Sequence, residues 1–340
     1  MTTIAAKVVK FQLQPHPNAD TLSIASIEGT GWQCIVKTEQ FQNKNSTGIY
    51  IPIDAEVDTS VEAFTFLNDK AKNSKFRIRT IKLRGIVSQG LLIPNLFNGE
   101  VGQDFTSVLQ VTRWEPEVPP QFAGDSIKCP ELFWKYSSIE NFKNYPNVLQ
   151  TTDQVRVTEK IHGTNARFGL VMDNGAITYC VGSHNTNKKL DGKTVYNKIS
   201  SSLDIENKLK TSNLSFASNL IVFGEIYGEG IQDLRYDAQK GLKFRIFDVL
   251  IDNTYQPWTV IETVANLLQV ETVPVMYRGS FDLSTIQSLL NGETLLGGSN
   301  IREGVVVTTE PESWNPEIGR KIIKFISDDF LLRKGAKDGH

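Results

Sequence analysis

Lys160 stands in the run Val157-Thr-Glu-Lys-Ile-His-Gly-Thr-Asn165, beside a glycine turn and between an alternating strand and a second strand, Ala166–Val171. An amine attacks phosphorus only as the neutral base, so a nucleophilic lysine needs neighbouring positive charge or desolvation to lower its pKa from ~10.4. A glycine next to it lets backbone N–H groups approach a phosphate closely. Together these residue types suit a covalent nucleotidyl-lysine. A lone Lys-x-x-Gly is more simply an exposed hairpin lysine; Glu159, His162, Thr164 and Asn165 around this one change that balance.

Further along, Leu220-Ile-Val-Phe-Gly-Glu-Ile-Tyr-Gly228 runs an apolar strand into the carboxylate of Glu225. Desolvating such a carboxylate costs several kcal/mol unless a cation or hydrogen-bond donor meets it. Phe244-Arg-Ile-Phe-Asp-Val249 sets two rings on opposite faces of a regular strand. Ile301-Arg-Glu-Gly-Val-Val-Val307 and Arg320-Lys-Ile-Ile-Lys-Phe-Ile-Ser327 supply Glu303 and Lys324.

In this order the segments resemble motifs I, III, IIIa, IV and V of ATP-dependent RNA ligases, relatives of DNA ligases and mRNA capping enzymes. The latter two usually carry an aspartate where this chain has His162. Lys135-Tyr-Ser-Ser-Ile-Glu-Asn141 is similar to the opening segment of double-strand RNA ligases. The resemblance implies Lys160 as nucleophile, with His162, Glu225 and Lys324 also catalytic. It implies Glu225 and Glu303 at Mg²⁺, with Mn²⁺ as an alternative, and ATP as the nucleotide. Glu159, Ile161, Asn165, His184, Phe247, Glu303 and Lys324 would contact that nucleotide: Phe247 stacking on the base, Glu159 at its edge, Lys324 at the triphosphate. Stacking contributes roughly 1–3 kcal/mol without selecting adenine. Two positions depart from the pattern: Ile326 stands where relatives have a second lysine, and His184, within Val181-Gly-Ser-His-Asn-Thr-Asn-Lys-Lys189, where they often have arginine.

A chain of 340 residues, 40% hydrophobic, suits two cores, since single cores seldom exceed about 250–300 residues. Short β-type runs occupy Ala6–Leu13, Leu22–Glu28, Trp32–Val36, Gly48–Ile53, Phe76–Leu83 and Gly90–Pro94. Such spacing suggests a small barrel. Here Pro15-His-Pro-Asn-Ala-Asp20 and Lys82-Leu-Arg-Gly-Ile-Val-Ser-Gln-Gly-Leu91 resemble the OB-fold tRNA-binding modules appended to some synthetases. Trp114-Glu-Pro-Glu-Val-Pro-Pro120, with Gln121–Lys128 after it, reads as a linker. The expected fold is therefore α+β, an OB-type β-barrel over 1–120 followed by a ligase-type nucleotidyltransferase domain of antiparallel sheets and helices over 121–340. Its strands are expected at Ala166–Val171, Ala176–Gly182, Asn219–Tyr227, Leu242–Ile251, Gly304–Thr309 and Arg320–Phe325, and its helices around Lys198–Lys210, Thr259–Gln269 and Leu283–Leu290.

Net charge of −2 and a pI near 6.2 give no global basic signature, so nucleic-acid contact needs a local patch. Regular alternation through Lys75-Phe-Arg-Ile-Arg79 would put Lys75, Arg77 and Arg79 on one face, a stripe able to follow RNA phosphates. Cys34, Cys129 and Cys180 form no Cys-x-x-Cys pair, which disfavours a disulfide framework or zinc site and fits a cytoplasmic location. No signal-peptide core or apolar run of ~18 residues is visible, so no membrane is expected. The chain ends sixteen residues after Lys324, leaving the barrel to replace a C-terminal specificity domain.

Barrel first and motifs second resembles the fifth RNA ligase family, which implies sealing of 3′-OH/5′-phosphate nicks in duplexes, RNA–DNA hybrids being possible substrates, by a monomer. An mRNA guanylyltransferase, with its OB domain normally after motif V, and a non-catalytic RNA- or tRNA-binding protein with a degenerate ligase domain are the alternatives.

Overall fold

The computed structural model describes residues 4–41, 47–114, 126–234, 236 and 241–333. The chain groups into two compact units. The first comprises residues 1–116, 139–150 and 323–340, the second residues 117–138 and 151–322. The linker reading lies, over residues 115–125, outside the described residues.

In the first unit, Lys7–Pro15 pairs antiparallel with Leu22–Ile27 on one side and Thr47–Ile51 on the other. Gln33–Lys37 and Leu91–Pro94 extend this into five strands. Val8, Ile49, Ile51 and Ile93 turn inward and close on Ala55, Val57, Phe64 and Leu109, as expected where side chains alternate across a curved sheet. Two elements carry no clear signal in the sequence. Ala55–Asp58 is a strand of only four residues, and Glu62–Lys70 is a 3₁₀ segment that buries Phe64 and Leu67. Residues 139–150 join the unit through Gly31 N–H to Lys143 O (2.8 Å) and Trp32 Nε1–H to Asn144 Oδ1 (2.7 Å). Glu140–Asn141 pairs parallel with Ile323 and Lys324.

The expected run Phe76–Leu83 is broken, and this corrects the basic stripe. Lys75–Arg77 is one short strand and Ile81–Leu83 belongs to a separate hairpin with Ile86–Ser88. Arg77 is buried, its guanidinium bonded to Asp54 and lying 3.8 Å from the centre of the Trp114 ring. Lys75 pairs with Asp58 at 3.2 Å, while Arg79 is exposed. The three do not share a solvent face, because alternation ends where the strand ends and Ile78 turns into the core. Replacing Arg77 by alanine leaves a largely buried Asp54 without its cation and is expected to lower stability by about 3 kcal/mol. Arg79→Ala should change it by less than about 0.5 kcal/mol. Thermal denaturation of the two variants checks the contrast.

The second unit holds two sheets. The larger runs, in spatial order, Ser126–Ile127, Asn187–Lys188, Ala176–Ser183, Thr164–Asp173, Asn219–Gly228, Leu242–Ile251 and Thr254–Tyr255. Its central strands bury both faces, with Phe168, Leu220, Val222 and Ile246 fully covered. In the other, Gln154–Lys160 lies between Val275–Ser280 and Gly304–Thr309, both antiparallel to it. The polar helical stretch near 198–210 is two helices, Val195–Ser202 and Ile205–Lys210, separated where Asp204 takes φ +52°. Gly319–Arg320 pairs with Trp314–Asn315, so the last strand starts at Ile322 rather than at residue 320. The helices Trp258–Leu268 and Leu283–Leu290 are amphipathic and bury Ile261, Val264, Leu268 and Ile286.

Candidate active site

Lys160 is the last residue of its strand, and Thr164 already begins a strand of the other sheet. The three residues Ile161-His162-Gly163 therefore carry the chain across the seam between the two sheets. Gly163 is required at this crossing. A Cβ there would overlap the carbonyl oxygen of Ile226 and come within 2.8 Å of Glu225 Cγ. With only hydrogen in that place, Gly163 N–H donates to the Glu225 carboxylate.

Opposite the seam, Gly304 pairs in register with Lys160, which brings the preceding residue, Glu303, onto the lysine. The Lys160 ammonium donates to Glu303 Oε1 at 2.6 Å, and His162 Nδ1 lies 3.0 Å from Glu303 Oε2. Glu303 has no solvent exposure, and both its oxygens face cations or donors. Burial raises its pKa, but Lys160 and His162 outweigh that and hold it lowered, at about 2. The second ring nitrogen, His162 Nε2, is 3.1 Å from Asp233 Oδ1. Burial alone would lower the imidazole's pKa, yet Glu303 and Asp233 leave it raised. An imidazole between two carboxylates donates from both nitrogens and so carries positive charge.

Glu225 faces the same ground from the larger sheet, with Asn165 directly across from it in register. Burial pushes its carboxyl up to about 8, and Glu303 adds to the rise against the opposing charges of Lys160 and His162. Lys160, His162, Glu225 and Glu303 thus form one electrostatic group, and Asn165 neighbours it. Among the described residues no cluster of three or more His, Cys, Asp or Glu side chains could hold a metal ion. The two glutamates nevertheless fit Mg²⁺, which usually keeps several waters, takes phosphate oxygens and asks for only one or two carboxylates.

Five other residues are singled out in the sequence: Glu159, Ile161, His184, Phe247 and Lys324. Glu159 points to the opposite side of its strand from Lys160, as alternation demands. Its carboxylate accepts from Thr294 Oγ1 and from Leu295 N–H (2.8 Å), so it ties down the 294–296 loop. Ile161 is buried in the core and His184 is half-buried in the turn after Ala176–Ser183. A register shift between Phe223 and Gly224 bulges the partner strand at Phe247. There Phe247 is half-buried, its ring 4.9 Å from that of Tyr136, whereas Phe244 packs edge-on to Phe168 at 5.2 Å. Lys324 is buried and sits in register with Asn141 in the first unit.

Sequence reasoning missed the segment that encloses the turn. Gln232 Nε2–H donates to Gly163 O (3.2 Å), Asp233 meets His162, and the Tyr236 hydroxyl accepts the His162 N–H at 2.6 Å. Nothing periodic marks residues 231–236. Their one signal is proximity in sequence to Glu225, seven residues before Gln232.

A family model described as RNA ligase matches residues 153–326, and an OB-fold domain model matches residues 3–95. No curated protein matches the chain. Among solved structures, a mutant of Naegleria gruberi RNA ligase with ATP and Mn is 23% identical with a TM-score of 0.79, covering 96% of this chain and 98% of that one. Another mutant of that ligase, with AMP and Mn, is 22% identical with a TM-score of 0.80, over 98% and 99%. The same ligase with PPi is 23% identical with a TM-score of 0.79, over 97% and 98%. At this identity the likeness establishes the shared fold.

Proposed function

This chain belongs to the RNA ligase family, and on that premise we propose that it joins 3′-hydroxyl and 5′-phosphate ends of RNA, at nicks in duplexes, with ATP as the energy source. The observation that carries the reading is Lys160 held at 2.6 Å by a fully buried Glu303 that also binds His162. A buried counter-ion fixes the ammonium until substrate arrives, and the amine must give up a proton before it can attack. Lys160 then attacks the α-phosphorus of ATP, the bond to the β-phosphate breaks and pyrophosphate leaves, so that AMP is joined to Nζ. The AMP passes from Nζ to the RNA 5′-phosphate. Attack by the 3′-hydroxyl on that activated phosphate forms the phosphodiester and expels AMP.

Glu225 and Glu303 would hold Mg²⁺ or Mn²⁺, which when bound neutralises charge on the transferring phosphate. The presence of ATP and Mn in structures of Naegleria gruberi RNA ligase supports both choices. Phe247 as the ring under the base and Lys324 at the triphosphate complete the reading, as does a monomer acting in the cytoplasm. No helix among the described residues is long and apolar enough to cross a membrane.

Incubation with α-labelled ATP or GTP, followed by denaturing gel and acid treatment, tests the proposal. Acid-labile label from ATP alone is expected. Label from GTP alone would make the chain a guanylyltransferase, and label from neither would leave a non-catalytic RNA-binding protein.

A further inference from the structure

The cations between residues 75 and 84 fall into two groups. Lys75 and Arg77 are neutralised by Asp58 and Asp54. Arg79, Lys82 and Arg84 are exposed, and among the described residues none has an ion-pair partner. Two of the three sit on the hairpin Ile81–Leu83/Ile86–Ser88, whose tip is Arg84-Gly85.

This tip is built in a way an ordinary surface turn is not. Arg84 has φ +44° and Gly85 φ +91°, the pair of positive values that two-residue hairpin turns use. Glycine, asparagine or aspartate usually fills the first place, because a longer side chain there is strained. Two side chains from the Pro15–Asp20 turn hold the strained backbone. Buried His16 donates from Nε2 to Leu83 O (3.2 Å) while its Nδ1 accepts the Asn18 N–H (3.0 Å), and Asn18 Nδ2–H donates to Arg84 O (2.9 Å). The brace fixes the backbone of Leu83 and Arg84 and leaves the guanidinium in water.

We propose that this hairpin, through Arg79, Lys82 and Arg84, is the surface by which the N-terminal unit holds the phosphate backbone of the RNA. The inference rests on the reading of an RNA substrate made above. Unpaired cations on a preformed, braced tip bind phosphate without first breaking internal ion pairs or ordering a loop, so binding costs less than at the neutralised Lys75 and Arg77.

Fluorescence-anisotropy titration of a nicked RNA duplex with the full chain, over a series of salt concentrations, tests this. Lys82→Ala/Arg84→Ala is compared with Lys10→Ala/Lys70→Ala, which removes the same charge from exposed positions elsewhere on the unit. The hairpin variant should melt with the wild type, bind roughly tenfold or more weakly and lose up to about one unit of salt slope per lost contact. The control should bind close to wild type. Unchanged affinity and slope in the hairpin variant, or an equal loss in the control, would overturn the assignment while leaving the RNA reading standing. A wild-type chain with no affinity for the duplex would instead reject the RNA reading, and this surface with it.

Discussion

Lys160→Ala should abolish formation of the AMP adduct: intact-mass measurement after incubation with ATP and Mg²⁺ is expected to find the mass unchanged, where the wild type is expected to gain one AMP. The expected loss is at least about 10³-fold, since no neighbouring group can take over an amine nucleophile's role. Lys160→Arg separates charge from chemistry. A guanidinium keeps a cation against Glu303 but does not deprotonate in proteins, so this variant should fold and still form no adduct. Both variants should retain some sealing of RNA that is already 5′-adenylated, a step that needs no lysine nucleophile. An AMP adduct on either one would move the nucleophile elsewhere.

Glu303→Ala should lose activity and stability together. The substitution takes a carboxylate that meets both the Lys160 ammonium and His162 out of a site with no solvent exposure. Breaking a buried pair this way typically costs 3–5 kcal/mol, about 10 °C of melting temperature for a unit of this size. Transfer should fall by on the order of 10²-fold or more, the usual effect of losing one electrostatic group in a catalytic site. Glu303→Gln, which keeps the shape and can still accept a hydrogen bond, should recover much of the stability and little of the rate. Calorimetry beside single-turnover adenylation separates the two losses. A glutamine variant with wild-type rate would reduce Glu303 to a packing role.

Where the sequence was legible, patterning and motif coincide. Leu242–Ile251, Leu283–Leu290 and Gly304–Thr309 are found at the residues read from apolar runs and helical spacing. Lys160 and Glu303 are 143 residues apart, and no local pattern links them; family motifs suggested the link, and strand register makes it. Gln232, Asp233 and Tyr236 lay beyond reach because polar residues in an irregular segment carry no period. The basic stripe at 75–79 failed for a different reason. Alternation predicts faces only while a strand continues, and a carboxylate distant in sequence, Asp54, had claimed the middle residue. Phe247 shows a gentler form of the same limit, since a bulge resets which way a ring points without changing the residues around it.

Strand register also sets a timetable. A ribosome makes Lys160 long before Glu303, and until residues 304–309 arrive the lysine strand lacks both a neighbour on that side and its counter-ion. Domains are made from the N-terminus at about 5–20 residues per second, so the nascent lysine spends several seconds or more without the carboxylate that positions it. Chains cut short by a premature stop between residues 166 and 303 would carry the full nucleophile motif without the carboxylate that positions its lysine. On the proposed function, competence for nucleotidyl transfer is in this sense a late checkpoint, built into the order in which the strands of one small sheet are made.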